Sequence, residues 1–71
     1  MSAFTAYLNT LAGYATILDT ANFSYTDFID LQRLQPAIEE GHQAKRYDAK
    51  QYRVLSNLYF LLMADARAVL K

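Results

Sequence analysis

The chain has no cysteine and no tryptophan, and only two glycines, one proline and one histidine among 71 residues. Without cysteine there is no disulfide framework and no thiolate metal site. That accords with a reducing interior, and a cytoplasmic location is the expectation. Gly13 and Gly41 are too few and too far apart for a phosphate-cradling loop. Scarce glycine and proline also argue against a flexible or fibrous chain, and a hydrophobic content of 54% argues against disorder. Net charge is missing as well. Seven Lys and Arg balance seven Asp and Glu, whereas a dedicated nucleic-acid coat would be clearly basic.

Charge is absent locally from residues 1–18. That stretch lacks the basic start of a secretory signal. Ser2, Thr5, Asn9, Thr10, Gly13 and Thr16 make it too polar for a membrane span. Neither a signal nor a span is therefore expected.

The length fits one helical domain over residues 1–71. A core in a chain this small seldom supplies more than about 3–5 kcal/mol. Disulfides cannot help and metal ligands are scarce, so association is the expected supplement. A homodimer or another protein would provide it.

What is present is helical periodicity. Phe4, Tyr7, Leu8, Leu11, Ala15, Leu18 and Ala21 recur every three or four residues, predicting a helix over 3–20 with Ser2 as its cap. Ser24-Tyr25-Thr26-Asp27 reads as a capping box and opens a helix over 25–35. Pro36 then starts a new helix or kinks the old one over 36–44, with Gly41 as an early stop. Asp48-Ala49-Lys50-Gln51 is a second capping box, opening a helix over 49–70. No segment alternates with the period of a strand. The expected fold is all-α, a three- to four-helix bundle completed by homodimerisation.

The last helix carries a heptad-like seam at Tyr52, Leu55, Tyr59, Leu62, Ala66 and Val69, with Val54, Leu58 and Leu61 beside it. Residues 58–63 are apolar all round, the pattern of a helix covered on every side. Leu55, Leu58, Tyr59 and Leu62 are therefore expected to meet a second copy. Thr5, Asn9 and Thr16 form a small, uncharged back to the first helix. They are either a further self-association surface or a solvated face.

Charge is segregated. Residues 1–44 carry five acids against Arg33, a net −4, and residues 45–71 carry six bases against two acids, a net +4. The halves can neutralise each other within the fold. Alternatively, Lys45, Arg46, Lys50 and Arg53 with Tyr47, together with Tyr25, form a partner-binding surface. Lys50 and Arg53 stand at the positive end of a helix, against the dipole, where free backbone N–H groups also attract anions.

Catalytic constellations are thin. His42 has no cysteine to activate, and Glu39-x-x-His42 is half of a di-iron carboxylate motif weakened by the intervening Gly41. Asp27 and Asp30 read as dipole partners of their helix. Asp65, in the most apolar helix, is expected to be buried and paired with Arg33 or Arg53. No cofactor, metal or enzymatic activity is expected. The leading expectation is a non-catalytic helical module that binds another protein as an inhibitor, adaptor or regulator. Analogy of size and composition extends this to a phage- or mobile-element-encoded chain. A nucleic-acid-binding regulator is the less favoured alternative, and a structural subunit of a larger assembly is the third.

Overall fold

A computed structural model describes residues 2–70. It contains four helices, α1 (Ala3–Asp19), α2 (Tyr25–Gln32), α3 (Leu34–Gln43) and α4 (Ala49–Val69), and no strand among the described residues. The all-α expectation holds, and each helix lies close to its predicted span. The molecule measures 36 × 19 × 18 Å. Its long axis follows from α4, whose 21 residues span about 31 Å at the helical rise of about 1.5 Å per residue.

Local chemistry sets the helix starts. The Ser2 hydroxyl accepts the Thr5 N–H and caps α1. Both predicted capping boxes form. Ser24 and Asp27 exchange side-chain-to-backbone hydrogen bonds at α2, and Asp48 and Gln51 do so at α4. Each box answers two of the amide donors that a helix start leaves free.

The helix ends are less regular. Thr20 ends α1 and Ala44 ends α3. The next residues, Ala21 and Lys45, adopt the left-handed region at φ 58° and 59°. Two backbone bonds then close each turn: Ala21 N–H to Leu18 O and Asn22 N–H to Ile17 O, and Lys45 N–H to His42 O and Arg46 N–H to Gly41 O. This is the double closure that glycine usually provides. The connectors share a plan: a left-handed residue, a polar residue, a buried aromatic, then a capping box. The aromatics are Phe23 and Tyr47, 6% and 7% exposed.

Between α2 and α3 only Arg33 intervenes, serving as C-cap of one and N-cap of the other. The second helix of the pair begins at Leu34, two residues before the expected start. Pro36 thus occupies its first turn, where a missing N–H removes no helical bond. The Gln32 carbonyl, which that N–H would have reached in an unbroken helix, accepts the Tyr59 hydroxyl at 3.4 Å. The bend in this segment is tied to α4 through that bond.

Gly41 does not end α3. It is buried inside the helix, against Tyr47. A Cβ there would lie 2.6 Å from the Tyr47 hydroxyl oxygen and 2.8 and 2.9 Å from its ring carbons. The Tyr47 hydroxyl donates to the Ile38 carbonyl, and its ring meets Tyr7 of α1 edge-on at 6.4 Å. Leu11, Leu31, Ile38, Leu55, Tyr59 and Leu62 are among the buried residues that close the core around these contacts. The largest helix–helix contact is between α1 and α4.

The two glycines should respond oppositely to alanine. Gly13 has open space where its Cβ would go, so Gly13→Ala should stabilise by the helix-propensity difference, about 0.5–1 kcal/mol. Gly41→Ala gains the same term but crowds Tyr47, at an overpacking cost of about 1–3 kcal/mol, for a net loss. Urea unfolding of both variants checks this. Equal shifts in one direction would contradict the Gly41–Tyr47 interlock.

Candidate protein-contact surface

The apolar surplus of α4 divides by face. Leu55, Tyr59, Leu62, Met63 and Ala66 point inward and are buried. Val54, Phe60 and Leu61 remain 46%, 57% and 66% exposed. Asn57, Ala64 and Ala68 are exposed too, and Asn57 lines a shallow groove with Phe60 and Leu61. The outer face of α4 is therefore an apolar strip about a polar centre.

This corrects the expected self-association set. Leu55, Tyr59 and Leu62 are engaged in the protein's own core, and Leu58 is half-buried against it. The remaining helices suffice to cover one side of α4, and the uncovered side is the neighbouring stripe. On α1, Thr5, Asn9 and Thr16 are exposed, as expected. The Thr16 hydroxyl bonds back to the Ala12 carbonyl, and Thr5 shares the cap with Ser2. These hydroxyls are satisfied within their own helix.

The expected partner-binding residues also separate. Lys45, Arg46, Lys50 and Arg53 are all exposed, around the turn into α4 and along its first turns. The single ion pair among the described residues is Arg33 with Asp30, at 3.9 Å. The four cations are therefore not neutralised by Glu39, Glu40 or Asp48. Tyr25 is 68% exposed, with its ring stacked on Phe28 at 6.1 Å. Tyr47 is a correction. It belongs to the core, because the residue before a capping box is where an apolar side chain folds back to staple the helix start. That position was the signal for it. The start of α4 is also no open anion site, since the Asp48 carboxylate already accepts the Gln51 N–H at 2.7 Å.

Asp65 is exposed, contrary to expectation, because it lies beside the outer strip of α4. The Glu39-x-x-His42 pair is engaged locally. Glu39 accepts the Tyr52 hydroxyl at 2.5 Å, and the His42 ring stacks on Tyr52 at 4.0 Å. The His42 Nδ1 is buried without a hydrogen-bond partner. No cluster of three potential metal ligands occurs among the described residues. None of their helices is long and apolar enough to cross a membrane.

No protein-family model, curated protein or solved structure matches the chain.

The tyrosines link the core to pH. Burial raises the Tyr14, Tyr47 and Tyr59 pKa values above the ordinary 10.0, and the hydrogen bond to Glu39 does the same for Tyr52. The unfolded chain therefore ionises first as pH rises. Stability is fully present below the ordinary tyrosine value and falls above it. The urea midpoint should be flat between ~pH 8 and ~pH 9 and decline above ~pH 10. A midpoint that stays level through ~pH 11 would contradict the buried tyrosine set.

Proposed function

We propose that this chain is a non-catalytic protein-binding module whose contact surface is the outer face of α4. The observation that carries the reading is the exposure of Val54, Phe60 and Leu61 on a helix whose opposite side already completes a core. Large apolar side chains left together at the surface, with a polar and charged rim, are typical of protein-contact sites. Arg53, Asp65 and Arg67 supply that rim. The occupant is a protein segment able to cover an apolar strip one helix wide, which is the mode of a helix laid along a helix. Action as an inhibitor, adaptor or regulator follows from occupancy of a partner's own surface, with no chemistry required of this chain.

Nucleic-acid binding has weaker support. The basic residues near the start of α4 are exposed, but the chain has no net charge, and the exposed face of the same helix further along is apolar at Phe60 and Leu61.

Capture of a partner from lysate should survive nuclease and be lost in Leu61→Lys. The same variant should keep the wild-type melting temperature within a few degrees, since exposed substitutions usually change stability by no more than about 0.5 kcal/mol. Capture that persists in Leu61→Lys would remove α4 as the contact face. Capture abolished by nuclease would favour the nucleic-acid alternative.

A further inference from the structure

We propose that the outer face of α4 receives an acidic amphipathic helix rather than a second copy of this chain. The inference rests on the reading of α4 as a protein-contact face and names the chemistry of its partner.

Lys50, Val54, Asn57, Leu61, Ala64 and Ala68 are all exposed and follow one another at steps of 4, 3, 4, 3 and 4. That is the spacing of a heptad seam, the strip along which two helices pack side by side. Val54 and Leu61 supply knobs. Ala64 and Ala68 leave room for a close approach at the C-terminal half. Along one edge of this seam run Arg53, Phe60 and Arg67, each seven residues after the last. Neither arginine forms an ion pair with any described residue. The edge therefore offers an apolar ring between two unneutralised cations.

Self-pairing along the same seam meets like charges in the parallel pair and in the antiparallel register centred on Leu61 and Asn57. In a parallel pair, seam positions face their own copies, which places Lys50 against Lys50. In an antiparallel pair that sets Leu61 over Asn57, the same edges of the two helices meet, and Arg53 falls beside Arg67. Like charges held together across a contact disfavour it. A helix carrying acids along the edge that meets Arg53 and Arg67, and apolar residues along its centre, relieves both conflicts and answers the two arginines.

Two synthetic helical peptides test this, alike in leucine seam and length, one with glutamate and one with lysine along the single edge that meets Arg53 and Arg67. Each is titrated into the isotopically labelled full chain and followed by NMR. The glutamate peptide should bind at least about tenfold more tightly, weaken as salt is raised, and shift Val54, Asn57 and Leu61 resonances. Combining Arg53→Glu with Arg67→Glu should reverse the preference while leaving the spectrum of the core unchanged. Equal affinity for the two peptides, no binding by either, or shifts confined to other helices would overturn the proposal. So would a salt-resistant dimer in sedimentation that is broken by Leu61→Lys. These failures differ from failure of the contact face itself, which is read from lysate capture that ignores Leu61→Lys.

Discussion

The fold depends on how Tyr47 is held. Its ring fills the space left by the missing side chain of Gly41, its hydroxyl donates to the Ile38 carbonyl, and its edge meets Tyr7. One side chain thereby joins α1 and α3 at the start of α4. The backbone prepares for this. Lys45 turns left-handed to close α3, and Asp48 caps α4, so the intervening chain has little freedom except to turn Tyr47 inward. Phe23 occupies the same place in the connector between α1 and α2. Two turns built alike deliver two aromatics to one core.

Much of this architecture was legible in the residues. The helix starts were readable because side chains make the caps: Ser2, Ser24 with Asp27, and Asp48 with Gln51. The helix ends were harder to place. Glycine is the usual mark of a left-handed closing residue. Here Ala21 and Lys45 take that conformation, so the mark is absent. Gly41 sent the opposite signal, since its role is steric space for Tyr47 rather than backbone freedom. Pro36 indicated a break but not its register. Register depended on the Tyr59 hydroxyl reaching Gln32, a contact between residues far apart in sequence.

The surface was legible only in part. The apolar excess of α4 was plain from residues 58–63, but periodicity alone did not say which of two adjacent stripes would face inward. Packing against α1 and α3 selected Leu55, Tyr59 and Leu62, leaving Val54, Phe60 and Leu61 outside. Asp65 moved from an expected buried position to an exposed one for the same reason. The basic cluster lost Tyr47 to the core yet kept its four cations at the surface. The outcome is a helix with two unlike faces: one holds the bundle together, and the other leaves Val54, Phe60 and Leu61 exposed.

That division requires the core to be complete within one chain. Urea unfolding measured across a hundredfold range of protein concentration tests it most directly. A fold that needs no second copy has a midpoint independent of concentration, which is the predicted result. A midpoint that rises with concentration would show that a second copy completes the fold, and would contradict this division.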